Sequence, residues 1–350
     1  MELNKFLIDH NVPLRDAVKK MDENGMGFIF LTDKNENVVS IITDGDFRRA
    51  ILEGGSLSDS AKKIGNTNFL FVNDSTSSEY IDDIFQNEKL RVLPLLVNGK
   101  LRDLITPAKD KMKISECTEK LKTTPVVIMA GGKGTRMKPF THILPKPLIP
   151  LGEKSILELI MDEYQKYGVK NFYLTVNFKK NLIKAFFEDK TENYSINYVE
   201  ENKPLGTAGS LRLLKDKLDT PFFVSNCDII IKGEYDKMLE FHQDGLYDLT
   251  LVGSMQHMTV PYGVCTIENG GDLNEIIEKP SYDFLVNTGM YILNPEVLDL
   301  IPDDTFFHIT HLMEKLKGNG KKVGVYPVSE KSWLDVGQWS EYSKAIDLLQ

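Results

Sequence analysis

The chain has 350 residues, of which 41% are hydrophobic, and a formal net charge of −9 at pH 7. This length predicts two or three domains with hydrophobic cores, and the acidic balance argues against nonspecific nucleic-acid binding, which depends on basic surface. The chain has no long apolar run, no signal-like N-terminus and three scattered cysteines, so we expect a cytoplasmic protein without a membrane span or disulfide framework.

Two segments near the N-terminus share one design, in which a strand, a tight polar turn, a second strand and a helix start follow one another. They are GMGFIFLTDKNENVVSIITDGDFRRAILEG and LRVLPLLVNGKLRDLITPAKD, with Asn35 and the Asn98-Gly99 pair at the turns. The sequence therefore predicts an internal repeat in residues 1–110. A charged connector over residues 111–123 would then precede a second domain, residues 124–350.

The two N-terminal segments resemble a tandem pair of CBS domains, which are small α+β modules of β-α-β-β-α order. Thr43 and Asp46, in IITDGDFRR, match the TxxD element that contacts a ribose in such domains. The resemblance implies an adenine-nucleotide site at this pair. In the second copy Thr106 is followed by Pro107 and the next aspartate is Asp110, so the spacing differs. Threonine and aspartate are also common helix N-caps, which leaves a purely structural role open for the first copy.

The run MAGGKGTRMKPFTHILPKP follows PVVIM, a short apolar segment that predicts a buried parallel strand. Gly131, Gly132 and Gly134 allow backbone amides to approach a polyphosphate without obstruction by Cβ atoms. Arg136 and Lys146 would supply positive charge. The spacing fits neither a Walker A loop nor a dinucleotide-binding fingerprint, so the loop belongs to another nucleotide-binding class.

GGxGTR followed by PKP resembles the signature of the sugar-1-phosphate nucleotidylyltransferases. The resemblance implies a Rossmann-like α/β domain and nucleotide contacts from the glycine loop, Thr135 included. The segments ILELIMDEYQKYG, NFYLTVN and NLIKAFFED alternate helix and strand. This alternation predicts a mostly parallel sheet with helices on both faces, and ligands bind such sheets at the carboxyl ends of the strands.

ENKPLGTAGSLRLL, residues 201–214, resembles the ExxPLGTAG element of the same family. The resemblance implies that Glu201, Gly206 and Thr207 lie against the nucleotide. Taken alone, the segment also fits a glycine-containing helix start capped by Thr207. The next run, FFVSNCDIII, predicts an apolar strand over residues 222–231 that presents the carboxylate of Asp228. We interpret Cys227 as core packing, because no base stands beside it in sequence.

Four C-terminal segments, VPYGVCTIE, IIEKP, VNTGMYIL and KSWLDVGQW, match further family elements in order. The resemblance implies that sugar contacts come from Gly263, Glu278 and Asn287, and a phosphate contact from Lys279. It also implies that Asp335 joins Asp228 on Mg²⁺. Arg136, Lys146 and Lys279 would then be the catalytic cations of a reaction between two anions. His308 and His311 lack zinc-site spacing, and we interpret them as a partly exposed helical face.

The expected reaction is transfer of a nucleoside monophosphate from a nucleoside triphosphate to a sugar 1-phosphate. With CBS domains ahead of this domain, the chain resembles the glucosamine-1-phosphate guanylyltransferases of legionaminic-acid biosynthesis. The resemblance implies that the substrates are GTP and glucosamine 1-phosphate and that the product serves a bacterial surface glycan. The alternatives are mannose or heptose 1-phosphate with GTP, and glucose 1-phosphate with UTP or dTTP. A CBS-based regulatory protein with an inert transferase domain is the alternative of another class. Both families self-associate, so we expect a homo-oligomer.

Overall fold

The computed structural model describes residues 2–88, 90, 92–106, 116–190, 193–339 and 341–343, without the side chains of 116–118. The chain divides into two compact units, Met1–Ile114 with Met255–Phe284, and Ser115–Ser254 with Leu285–Gln350. The segment 255–284, which the sequence analysis assigned to the second domain, thus groups with the first unit. Part of the expected linker, 111–115, lies outside the described residues. No helix in the described ranges is long and apolar enough to cross a membrane.

The N-terminal part of the first unit contains two small sheets with three helices in its described residues. In chain order the elements are β1 (Leu7–Asp9), α1 (Leu14–Asn24), β2 (Phe28–Thr32), β3 (Val38–Thr43), α2 (Asp44–Leu52), α3 (Ser78–Asn87), β4 (Leu93–Val97) and β5 (Lys100–Ile105).

The order β1-α1-β2-β3-α2 confirms the β-α-β-β-α module predicted for the first copy. Strand β1 pairs in parallel with β2, which pairs antiparallel with β3. In the second copy β4 and β5 form the predicted hairpin. Its turn residues Asn98 and Gly99 have φ of 51° and 79°, which the Asn-Gly pair adopts readily. The helix expected after this hairpin falls on residues 107–115, outside the described ranges.

The remaining elements build a larger α/β unit and the strands of the segment 255–284. In chain order they are α4 (Glu116–Thr123), β6 (Val126–Met129), β7 (Pro150–Leu151), β8 (Lys154–Ser155), α5 (Ile156–Gln165), β9 (Asn171–Val176), α6 (Lys180–Phe187), β10 (Ser195–Glu200), α7 (Gly206–Gly209), β11 (Phe222–Asn226), β12 (Ile229–Ile231), α8 (Tyr235–Asp244), β13 (Leu249–Thr259), β14 (Val264–Ile267), β15 (Leu273–Ile277), β16 (Ser281–Leu293), α9 (Ile309–Gly318), β17 (Val323–Val328) and β18 (Trp333–Asp335).

The central sheet of the second unit has the order β10-β9-β6-β11-β16-β13-β17 in the described residues. Strands β10, β9, β6 and β11 run parallel, and β16 is antiparallel to β11. Along β6, Val126 and Ile128 pack into an apolar cluster with residues of α5 and α6, whereas Val127 packs into one with residues of α9. Alternate residues therefore face helices on opposite sides, and the predicted mostly parallel sheet covered on both faces is confirmed.

His242 on α8 is buried at 1% exposure, and it connects this helix to the sheet. Its Nε2 donates to Asn294 Oδ1 at 3.0 Å and its Nδ1 accepts from the Thr250 hydroxyl at 2.8 Å. Burial lowers the pKa of His242 below its ordinary 6.5. The imidazole is therefore held in its neutral form.

Because the unfolded chain protonates this histidine near pH 6.5 while the folded chain resists, acid favours unfolding through it. We expect stability to fall as the pH drops below about 6.5, with a contribution of at most about 1.4 kcal/mol per pH unit from this group. Urea denaturation at pH 7.5 and 5.5 checks this against His242→Gln, which lacks the titrating group. Equal pH dependence in the two proteins would contradict it.

Candidate active site

The glycine loop leaves the carboxyl end of β6, an interior strand of the central sheet, and closes against the chain that follows it. Gly134 has φ of 61°, and a Cβ there would lie 2.9 Å from both Lys146 Cβ and Thr141 Cγ2. The Thr141 hydroxyl donates to Gly134 O at 3.0 Å. Only glycine meets both the conformation and the close approach. Arg136 follows in a 3₁₀ turn, Thr135–Met137, with its side chain exposed.

Gly131 and Gly132 have different surroundings. A Cβ on Gly131 would lie 2.5 Å from Glu201 Oε1, whereas a Cβ on Gly132 would meet none of the described atoms within 4 Å. The loop is thus packed at its two ends and open in its middle. Open backbone of this kind is what a phosphate-binding loop presents to its ligand.

Asp228 lies in a turn and not at the end of a continuous strand, so the prediction of one strand over 222–231 was wrong. Strand β11 ends at Asn226, and β12 then pairs antiparallel with β18 instead of continuing in the central sheet. In that pairing Ile229 lies opposite Asp335, and Val336 N donates to Asp228 O at 2.9 Å. The small β12–β18 sheet therefore places the two predicted metal carboxylates side by side.

Lys146 lies beside the two carboxylates and pairs with one of them. Its side chain is buried and its ammonium forms a short ion pair with Asp228 Oδ2. A Cβ built on Gly337 would lie 2.7 Å from Asp335 Oδ1, 2.8 Å from Asp228 Oδ2 and 3.1 Å from Lys146 Nζ. The three charged groups thus surround a space that exists because residue 337 is glycine. Gly337 was not among the residues predicted from sequence, because DVGQW shows a glycine but not what it faces.

The ionisation of Asp335 reflects these neighbours. Burial raises the pKa of its carboxyl and the negative charge of Asp228 adds to that, whereas the Gly337 N–H, Lys146 and Arg136 lower it. The hydrogen bond from Gly337 N to Asp335 Oδ1 is 2.7 Å. Two carboxylates at close range in a buried site favour binding of a cation between them.

Cys227, beside Asp228, points into the apolar cluster of the second unit, with 8% exposure. Burial raises the pKa of its thiol to about 12, and the charge of Asp228 adds to this. A thiol in that state is not a nucleophile near neutral pH. Its interpretation as core packing is confirmed.

The PLGTAG segment is held by a distant stretch of chain that sequence reasoning missed. Phe307 O accepts from Ala208 N and Gly209 N at 2.9 and 3.1 Å, and Phe307 N donates to Leu205 O at 2.8 Å. A Cβ on Gly206, where φ is 81°, would lie 2.7 Å from Phe307 O. No local sequence signal marks this pairing, because the two segments meet only through the fold.

Thr207 does not cap its own helix, so that interpretation was wrong. Its hydroxyl instead accepts from Ile309 N at 3.0 Å and lies 3.4 Å from His308 Nδ1. His308 is the N-cap residue of α9, and its backbone N donates to His311 Nδ1 at 3.4 Å. The prediction that His308 and His311 share a helical face is therefore wrong for His308, which precedes the helix.

Glu201 follows β10 and is 6% exposed. Its Oε2 accepts from Leu205 N at 3.2 Å. Burial raises the pKa of this carboxyl, and the Leu205 and Thr175 hydrogen bonds lower it. The structure thus brings Glu201, a residue predicted to bind nucleotide, against the glycine loop at Gly131.

The predicted sugar-phosphate residues divide between the units. In the first unit, a Cβ on Gly263 would lie 3.0 Å from Glu278 Oε2, so these two predicted residues are neighbours. Lys279 follows with φ of 47°, and its N donates to Tyr262 O at 3.3 Å. In the second unit, Asn287 Nδ2 donates to the Tyr291 hydroxyl at 2.9 Å.

In the first CBS-like module Thr43 and Asp46 form a reciprocal capping box at the start of α2. Thr43 Oγ1 lies 2.7 Å from Asp46 Oδ2, Asp46 N donates to Thr43 Oγ1 at 3.3 Å, and Arg49 pairs with the Asp46 carboxylate. The structural role that the sequence left open is confirmed. Ligand binding at this pair stays a prediction.

A glycine loop at the end of a central parallel strand, next to two converging carboxylates and a buried lysine, defines an α/β domain that handles phosphates. The Nucleotidyl transferase family model matches residues 125–350, more than half of the chain. The chain therefore belongs to the nucleotidyl transferase family. A CBS domain model matches residues 3–53.

Relatives and solved structures agree with this assignment. A mannose-1-phosphate guanyltransferase of Yarrowia lipolytica is 34% identical over 227 residues, which cover 62% of this chain and 61% of the relative. The chain spans about three fifths of the length of the curated relatives it matches first. The structure of HddC from Yersinia pseudotuberculosis has a TM-score of 0.52 and 27% identity over 65% of this chain and 100% of that one. HddC complexed with GMP-PN has a TM-score of 0.50 and 28% identity, with the same coverage.

Proposed function

We propose that this protein is a sugar-1-phosphate guanylyltransferase, which transfers GMP from GTP to a sugar 1-phosphate and releases pyrophosphate. The observation that carries this proposal is the convergence of Asp228, Asp335 and Lys146 around Gly337. Relatives named as mannose-1-phosphate guanyltransferases and the GMP-PN complex of HddC support guanine as the base. An intact set of charged groups argues against an inert domain with only a regulatory role.

The reaction joins two anions, so its main requirement is charge stabilisation. A non-bridging oxygen of the sugar phosphate attacks the α-phosphorus of GTP, a new P–O bond forms, and the bond to the β-phosphate oxygen breaks as pyrophosphate leaves. The attacking oxygen is already anionic near neutral pH, so no general base is needed. Lys146 would stabilise the attacking phosphate and Arg136 the leaving pyrophosphate, and Lys279 would hold the sugar phosphate.

Asp228 and Asp335 would hold Mg²⁺. The fit rests on their chemistry, because carboxylate oxygens are hard ligands and both line the space next to Gly337. Among the described residues no cluster of three or more metal-ligating side chains occurs, and Mg²⁺ ordinarily completes its coordination with water and substrate phosphates. When bound, the ion would neutralise part of the phosphate charge.

Glu201 is the group we propose to read the guanine base. A carboxylate only accepts hydrogen bonds, and the guanine edge offers two adjacent donors, N1–H and the 2-amino group. Adenine offers an acceptor at N1, and uracil offers a single donor between two acceptors. A buried carboxylate whose pKa is raised by burial gains from such donors.

Glu201→Gln is expected to raise KM for GTP about tenfold to a hundredfold, because an amide NH₂ would face a guanine donor. The matched control is Glu200→Gln, whose exposed carboxylate pairs with Lys180 and Lys184 on α6. Steady-state kinetics with GTP and UTP, together with melting temperatures, check this. A lower melting temperature with unchanged KM for GTP would show that Glu201 serves only as the acceptor for Leu205 N.

For the sugar, we propose glucosamine 1-phosphate, with mannose 1-phosphate as the second candidate. Domain order supports glucosamine 1-phosphate and, with it, a role in legionaminic-acid synthesis. The names of the curated relatives favour mannose 1-phosphate. Pyrophosphate release with Mg²⁺ tests both, by crossing GTP, UTP, dTTP, CTP and ATP with glucosamine, N-acetylglucosamine, glucose, mannose and heptose 1-phosphates. Release with GTP and mannose 1-phosphate alone would discard glucosamine, and release with a pyrimidine triphosphate alone would discard guanylyl transfer.

Two further proposals concern the first unit and assembly. An adenine nucleotide would bind near Thr43 and Asp46, and Arg48 and Arg49, which follow them in sequence, would approach its phosphate. The full chain would be a homo-oligomer. Equilibrium binding of AMP, ADP and ATP to the full chain tests the first proposal, and light scattering tests the second.

A further inference from the structure

The chain that follows Asp335 returns to the loop that follows Arg136. The Trp339 Nε1–H donates to Lys138 O at 2.8 Å, and its ring contacts that of Phe140 in a tilted arrangement with 4.9 Å between centroids. Tyr342 closes the same aromatic cluster at 5.8 Å from Trp339, and its hydroxyl donates to Pro150 O at 2.5 Å. We name residues 335–339 the C-terminal strap.

The strap touches the site at both of its ends. At its start Val336 N donates a hydrogen bond to Asp228 O, and Gly337 N donates one to the Asp335 carboxylate. Near its end Trp339 binds Lys138, the residue at which the 3₁₀ turn Thr135–Met137 ends. Arg136 thus lies in a turn that is fixed on one side by Gly134 and on the other by the Trp339 bond. One short segment therefore links the acidic pair, Asp228 and Asp335, to the loop that carries Arg136, the cation predicted to bind pyrophosphate.

We propose that Trp339 is a positioning residue, which sets the place of Arg136 relative to the Asp228–Asp335 pair. The inference rests on the proposed function for its kinetic consequence, but not for its structural one. Trp339 is 38% exposed, so its ring adds less to the core than a buried aromatic does. Its specific contribution is the hydrogen bond to Lys138 O and the ring contact with Phe140. Without that bond the exposed Arg136 turn loses an anchor, and no strand of the central sheet loses a hydrogen bond.

The test is Trp339→Phe, which keeps an aromatic ring and removes the N–H donor. Its matched control is Tyr167→Phe, which removes another aromatic donor to a backbone carbonyl. The Tyr167 hydroxyl donates to Gly233 O at 2.8 Å, and neither residue is among the predicted site residues. We expect Trp339→Phe to lower kcat with GTP about tenfold, the factor that one hydrogen bond is worth, and Tyr167→Phe to leave it within about twofold. Trp339→Phe combined with Arg136→Lys should cost less than the product of the single effects, because both act on one group.

A second readout does not depend on activity. Limited digestion with trypsin, followed by mass spectrometry, measures cleavage after Arg136 directly. Cleavage there is expected to be faster in Trp339→Phe than in the wild type or Tyr167→Phe. Unchanged cleavage overturns the inference even if the wild type proves inactive, whereas an inactive wild type with faster cleavage in the variant rejects only the proposed function.

Faster cleavage with unchanged kcat in an active enzyme would mean that Trp339 is merely structural, and this also overturns the positioning role. Strictly multiplicative effects of Trp339→Phe and Arg136→Lys would do the same. Should Trp339→Phe fail to fold, Phe140→Leu removes the ring contact and keeps the N–H bond, and the same two readouts apply.

Discussion

Asp228→Asn is expected to lower the rate of pyrophosphate release about a hundredfold to a thousandfold, the range seen when one preorganised charge is removed from a transition-state site. Asparagine keeps the shape of the side chain but removes the charge that faces Lys146 and would hold Mg²⁺. The side chains of Lys146 and Asp228 are 8% and 14% exposed, so the pair is little screened by solvent. Measurement of kcat at saturating Mg²⁺, GTP and sugar 1-phosphate gives the effect.

The same substitution also bears on stability, because it leaves a buried ammonium without its partner. Removal of one member of a buried pair typically costs about 3–5 kcal/mol. Asp335 remains nearby, so we expect a smaller loss, which urea denaturation measures. Asp162→Asn is the control. Its carboxylate pairs with Lys154 Nζ at 2.7 Å, but the Lys154 side chain is largely exposed, and such pairs contribute little to stability. If both variants kept wild-type kcat, Asp228 would not be part of the site.

Gly337→Ala is the second large effect that we expect, a fall in kcat of about a hundredfold with little change in the fold. The added methyl would lie within 3 Å of Asp335 Oδ1 and Asp228 Oδ2, at 2.7 and 2.8 Å, so one carboxylate must move. A displacement of about 1 Å in a catalytic constellation costs about that factor. Unlike Asp228→Asn, this substitution removes no charge and no hydrogen-bonding group.

The matched control is Gly318→Ala at the end of α9, where an added Cβ would meet no described atom within 4 Å. Kinetics as a function of Mg²⁺ concentration check the prediction for Gly337. A higher Mg²⁺ requirement in Gly337→Ala would identify the space beside Gly337 as the metal position. Wild-type kinetics in both glycine variants would contradict the reading of that space as part of the active site.

Features that depend on neighbouring residues could be predicted from sequence. The hairpin at Asn98-Gly99, the alternation of strands and helices and the glycine loop after β6 depend on local backbone freedom and apolar periodicity, which a short window contains. The core-packing role of Cys227 also followed from its neighbours, because no base stands beside it in sequence. The family resemblance rested on motifs of this local kind.

Features that depend on pairing between distant segments could not be predicted from sequence. The strand predicted over 222–231 breaks at Cys227-Asp228, because β12 gains a partner in β18 that lies far away in sequence. For the same reason the Thr207 hydroxyl accepts from Ile309 N, at the start of α9, instead of capping its own helix. The roles predicted for Gly263, Glu278, Lys279 and Asn287 come from resemblance and stay predictions.

The sequence by itself determined the family, the parallel sheet, the glycine loop and the identity of the charged side chains, because these follow from residue types and short spacings. Only the tertiary structure decided that Asp228, Asp335 and Lys146 meet at Gly337 and that Trp339 holds the loop after Arg136. Those contacts join segments whose separation along the chain carries no information about their distance in space. They form because burial of both faces of the sheet fixes where its strand ends lie.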